Sequence, residues 1–239
     1  MSILWILTFF GTMAISLWAA ARVKSAYARG SEVPASSGYT GAEAAAKILD
    51  AAGIHDVEIT EHDGLLGDHY DPMHKRLVLS TQNFHGHSAA ALGVAAHECG
   101  HAIQHKIAYA PLQWRMAAVG ATTFASQIVT WLPLLGLFTG IGGFTSQTYL
   151  MLMVAGWGAI MLFNLVTLPV EFDASRRALQ ILPKMRFISP GKETQAVDSV
   201  LRAAAWTYVA AFITSLLYLL WHLRPLLAGR RHDEVPQGH

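Results

Sequence analysis

The sequence predicts an α-helical integral membrane protein, with about four transmembrane helices carrying a small α+β segment. Three observations lead there. Only 14% of the 239 residues are charged and 53% are hydrophobic, against about 25% charged in an ordinary soluble domain. Four stretches, 3–21, 116–138, 148–170 and 203–223, approach the roughly 20 apolar residues that a bilayer crossing needs. Within them the one charged or imidazole side chain is His222, at the end of the last. Between the first two stretches lies a polar segment that holds nine of the 12 histidines, from His55 to His105.

The elements follow in order. Arg22, Lys24 and Arg29 come after the first apolar run rather than before it. That run therefore reads as a retained anchor with its N-terminus outside, not as a cleaved signal peptide. In "TGAEAAAKILDAAG", Thr40 and Glu43 have capping-box spacing and Gly53 suits a C′ position, so 41–52 should be a helix. "HDVEIT" and "HKRLVLS" read as strands joined through "DGLLGDHYDP", where Asp71-Pro72 begins a turn. Ser88 is a good N-cap for a helix over 89–108, which Pro111 should stop. The terminal "GRRHDEVPQGH" reads as disordered.

The helix over 89–108 contains "GVAAHECGHAIQH". Residues i and i+4 share one helical face, so His97 and His101 can turn two imidazoles toward one small ion. Glu98 sits beside them. This is the H-E-x-x-H pattern, in which the glutamate serves as general base on a metal-bound water. His105 cannot be the third ligand, because it lies about 12 Å along the axis from His97. The metzincin extension is also missing: position 104 is Gln and position 107 is Ile. Cys99 lies about 200° around the helix from both imidazoles and reads as a small buried thiol. As the single cysteine, it has no partner for an intramolecular disulfide.

Lysine and arginine set the expected topology. Arg22, Lys24, Arg29, Lys106 and Arg115 flank the first two spans, six more basic residues lie in 171–202, and loop 139–147 has none. Residues 22–115 and 171–202 should face the cytoplasm. Arg224, Arg230 and Arg231 break the pattern by following the fourth span. The division expected is an anchor at 1–22, a cytoplasmic segment at 23–115, a transmembrane hairpin at 116–170, a cytoplasmic helical segment at 171–202, a last span at 203–223 and a tail at 224–239. Two crossings separate His101 from "LPVEFDASRRA", which returns Glu171 to the side of the histidines. Two His and one Glu leave a coordination position open for water, as in catalytic rather than structural zinc sites. A net charge of +1 gives no case for nucleic acid binding.

"GVAAHECGHAIQH", the upstream "DHYDP" and the downstream "LPVEFDASRRAL" together resemble the YugP-type membrane zinc metallopeptidases and, more distantly, the HtpX-type gluzincins. The resemblance implies a zincin-like metallopeptidase segment, a Zn2+ cofactor held by His97, His101 and Glu171, and Glu98 as the base. It implies hydrolysis of protein or peptide substrates, membrane proteins among them, at the cytoplasmic face of a bacterial cell membrane crossed several times. One departure stands out: related gluzincins often carry Asp four residues after the ligand glutamate, where this chain has Ser175. Asp173, at i+2, should point elsewhere on a straight helix. His69 and Tyr70 are candidate oxyanion donors, and the strand "RLVLS" could align a substrate by backbone pairing. The alternative is a catalytically inactive metal-binding membrane protein or a scaffold stapled by zinc. Such a site would need the histidines but not Glu98.

Overall fold

The computed structural model describes residues 3–64, 67–139 and 146–230. Its helices are α1 (Ile3–Ser31), α2 (Gly41–Ala51), α3 (Thr81–Phe84), α4 (Ala89–Lys106), α5 (Ala110–Thr139), α6 (Gln147–Lys184) and α7 (Lys192–Arg230). The strands are β1 (Glu58–His62), β2 (His69–Asp71) and β3 (Arg76–Ser80). Four helices, α1, α5, α6 and α7, are long and apolar enough to cross a membrane. All four outrun the stretches read from hydropathy. At 38 residues, α6 is roughly 57 Å long, well beyond the ~30 Å hydrocarbon core of a bilayer. The apolar run ends at Val170 while the helix continues.

The chain divides into two units. One comprises 1–16, 114–166 and 208–239; the other comprises 17–113 and 167–207. In the first, helices meet through small and aromatic residues. A Cβ at Gly156 would fall 2.6 Å from a Val129 methyl, Trp157 stacks on Tyr218 at 4.7 Å, and the Asn164 amide donates to the Ala211 carbonyl and the Ser215 hydroxyl. Phe124, Trp131, Leu162 and Leu220 stay exposed. Large apolar side chains left outside a helix bundle suit lipid better than water.

The second unit has a true core, in which Ile48, Leu77, Leu79, Leu92, Leu182, Phe187 and Val197 are fully buried. Its sheet has the order β1-β3-β2, with β1 parallel and β2 antiparallel to β3. Two strands were predicted here and three form. β2 went unseen because three polar residues carry no alternation and lie in a segment dominated by turn chemistry. The Asp71 turn does form: its carboxylate accepts from the Met73 and His74 amides. β3 is the central strand, so "RLVLS" cannot pair with a substrate. Its partners are already β1 on one side and β2 on the other, and the Ser80 amide donates to Asp68.

Caps decide where the helices of this unit start and stop. The Thr40–Glu43 capping box closes in both directions. α2 then ends in a Schellman motif, Gly53 at φ +66 donating to the Asp50 carbonyl and Ile54 to that of Leu49. α4 starts at Ser88, whose hydroxyl accepts the Ala91 amide. It stops earlier than predicted, and Pro111 is not the cause. Ala108 takes φ +51, and the amides of Ala108 and Tyr109 bond back to the carbonyls of His105 and Gln104. That is again a Schellman ending, with alanine where glycine is usual. Pro111 lies instead in the first turn of α5, where its missing N–H is no loss. Loop 139–147 and the tail fall largely on 140–145 and 231–239, outside the described residues.

Candidate metal centre

Helix α4 is buried around most of its circumference, including Leu92, Gly93, Ala95, Ala96, Cys99, Gly100 and Ala102. A helix enclosed on all sides cannot be amphipathic, and its small residues let neighbours approach closely. A Cβ added at Gly100 would fall 2.9 Å from the Ala174 carbonyl oxygen on α6. One added at Gly93 would fall 3.1 Å from Val197 on α7. The run of Ala and Gly is what brings α6 within reach of the two histidines.

At that approach three donors converge. His97, His101 and Glu171 each offer one ligand atom, all within 4.8 Å of one another. Glu171 Oε2 lies 3.3 Å from His97 Nε2 and 3.7 Å from His101 Nε2. Two donors bound to one tetrahedral zinc at about 2.0–2.1 Å would be roughly 3.3–3.4 Å apart. The two distances to Glu171 therefore match a shared zinc closely, and the cluster as a whole, within 4.8 Å, would draw in around the ion. The imidazoles stand nearly perpendicular, at 86° with centroids 4.8 Å apart, and Glu171 is 1% exposed.

The protonation state points the same way. Burial alone would depress the His101 imidazole, but the Glu171 carboxylate, with Glu98 and Gln104 adding to it, raises it above the ordinary histidine value. The pocket favours positive charge, which a bound metal would supply in place of a proton. Glu98 is buried one residue from His97. Among the described residues, no hydrogen bond or ion pair holds its carboxylate.

Outer partners hold each ring, and sequence reasoning missed most of them. The Ser175 hydroxyl lies 3.1 Å from His97 Nδ1, so the residue in place of the expected Asp still meets the first histidine. Gln104 Oε1 lies 3.0 Å from His101 Nδ1. The Gln104 amide nitrogen donates to the Val170 carbonyl at 2.8 Å and to Asp173 Oδ2 at 2.9 Å. Asp173 also accepts from Arg176 and, at 2.6 Å, from Arg177. Asp173 thus does not point away from the site as predicted; it is buried and reached from α4 by the long Gln104 side chain. The one signal in the sequence was a glutamine three residues after His101, on the same helical face.

The remaining residues fall elsewhere. His105 Nδ1 meets the Tyr70 hydroxyl at 2.9 Å, and His69 Nδ1 meets the Gly67 carbonyl at 2.8 Å. The hydrogen bonds of both candidate oxyanion donors thus go to partners outside the cluster. Cys99 is fully buried, with its sulfur 3.7 Å from the Ala45 carbonyl, and burial followed by the Glu98 charge pushes its thiol up.

A two-histidine, one-carboxylate cluster on a chain with four helices long and apolar enough to cross a membrane fits a membrane metalloprotein, and the comparisons with known proteins narrow the class. Residues 5–226 match the family described as "Putative neutral zinc metallopeptidase", and the chain belongs to that family. Zinc is the cofactor this membership implies, and the donor set fits it. The chain is 41% identical over 227 residues to "Putative membrane protease YugP" of Bacillus subtilis (strain 168), covering 95% of this chain and 98% of that protein. No solved structure matches.

Proposed function

We propose that this protein is a zinc-dependent endopeptidase that crosses the cytoplasmic membrane several times and hydrolyses peptide bonds in protein substrates, membrane proteins included. The observation that carries the reading is the convergence of His97, His101 and Glu171 within 4.8 Å, with Glu98 buried on the helix of the two histidines. His97 and His101 would hold the zinc through Nε2 and Glu171 through a carboxylate oxygen. Bound zinc supplies Lewis-acid polarisation of the scissile carbonyl and an acidified water.

The chain's own residues do the rest. The Glu98 carboxylate takes the proton from the attacking water and returns it to the leaving amine nitrogen. Ser175 holds the His97 ring through Nδ1. Segments 23–115 and 171–202 face the cytoplasm, because lysine and arginine concentrate there.

The test is zinc content and cleavage of an unfolded protein substrate, measured in one set of purified variants. Alanine at His97, His101 or Glu171 should remove most bound zinc and all detectable cleavage. His105→Ala should keep both. Full zinc retention in Glu171→Ala would overturn the ligand set.

A further inference from the structure

The two histidines are not held alike, and the difference has a chemical consequence. A hydroxyl can donate or accept, so Ser175 leaves the His97 tautomer undecided. An amide is different, provided its orientation is known. Gln104 settles its own orientation, because one end of its amide faces two groups that can only accept, the Val170 carbonyl and the Asp173 carboxylate. Turning the amide over would press an oxygen against both. The NH2 end must therefore face α6, and Oε1 must face His101 Nδ1, as the 3.0 Å contact shows. An acceptor at that place requires Nδ1–H, which leaves Nε2 of a neutral ring with its lone pair free. Asp173 in turn is clamped by Arg177 and Arg176, and Gln104 itself is fully buried.

We infer that Gln104 is a positioning residue: held by Asp173 and the Val170 carbonyl, it locks His101 in the tautomer whose Nε2 can ligate zinc. The inference rests on the proposed metal centre. Asp173, reached through Gln104, serves His101, while Ser175 serves His97. Each histidine thus has its own support, and the support of the second is the one that fixes a proton.

The test is competition for zinc against a chromophoric chelator, using full-length protein in detergent. Gln104→Met keeps the length of the side chain and removes both the acceptor and the donors. Its zinc affinity should fall about 10–100-fold, the usual effect of losing an outer partner. His105→Ala, on the same helix, should bind as wild type does. In 15N-histidine spectra of zinc-loaded wild type, His101, identified by its absence from His101→Gln, should carry its proton on Nδ1. That proton should exchange with solvent faster in Gln104→Met. Zinc affinity in a folded Gln104→Met within twofold of wild type would overturn the inference. Should that variant not fold, wild type decides, because His101 ligating through Nδ1 would overturn it equally. Wild type that binds no zinc, or His97→Ala that binds it equally well, would count instead against the metal centre itself. Wild-type zinc binding with an indifferent Gln104→Met would count against Gln104 alone.

Discussion

At the scale of the residue, chemistry set by local spacing is the most legible. His97 and His101 sit one turn apart, and the turn of α4 brings their Nε2 atoms to one carboxylate oxygen. Cys99 is equally readable: its angular offset from the imidazoles predicts burial, and it is 0% exposed. With burial raising the thiol further above its ordinary value, the native protein should take up no maleimide at neutral pH. Denaturation should then release one reactive thiol per chain; labelling of the native protein at a comparable rate would mean that α4 is not enclosed as described. What spacing does not reveal is a partner that reaches in from another helix. In the sequence Gln104 shares the face of His101 and stands where a metzincin has glycine, with nothing to show what it meets, and Asp173 stands on what a straight helix makes the wrong face. Their link depends on how closely α6 approaches α4.

At the scale of the element, that approach depends on a glycine. Gly100 faces Ala174 with no room for a methyl group, and the nearest obstacle is backbone rather than a movable side chain. Gly100→Ala should therefore cost about 1–3 kcal/mol, the usual penalty of overpacking, and should weaken zinc binding as Glu171 moves off the histidines. Thermal melts with and without zinc would check both effects, and an unchanged midpoint with full zinc would contradict the close packing. The ends of elements were less legible than their existence. The capping box of α2 was readable because both of its residues are diagnostic, whereas the end of α4 was not, because an alanine occupies the left-handed position. β2 was invisible for want of length.

At the scale of the molecule, hydropathy located the four long helices but not their polar extensions. Those extensions, on α1, α6 and α7, contribute to the unit that holds the metal centre. Glu171 lies immediately after the last apolar residue of its run, so a long helix serves both as a candidate span and as the carrier of the cluster's carboxylate. The sidedness proposed from lysine and arginine is checked by cysteines engineered into a chain whose own Cys99 is silent. Reagents applied outside the cell should reach loop 139–147 and not 40–110. Labelling of 40–110 from outside would reverse the orientation without touching the donor geometry, which needs only that α4 and the part of α6 that starts at Glu171 lie on one side.

The central claim is that this chain hydrolyses peptide bonds at the centre formed by α4 and α6, and Glu98→Gln tests it most directly. The amide keeps the shape of the side chain but cannot take up the proton of the attacking water. A general base is typically worth about 10²–10⁴-fold in rate. Zinc content and turnover of an unfolded protein substrate should be measured on the same preparations of wild type and variant. A folded, zinc-loaded Glu98→Gln with turnover at least 100-fold lower is the expected result. Equal turnover in the two proteins, with zinc present in both, would contradict the peptidase mechanism.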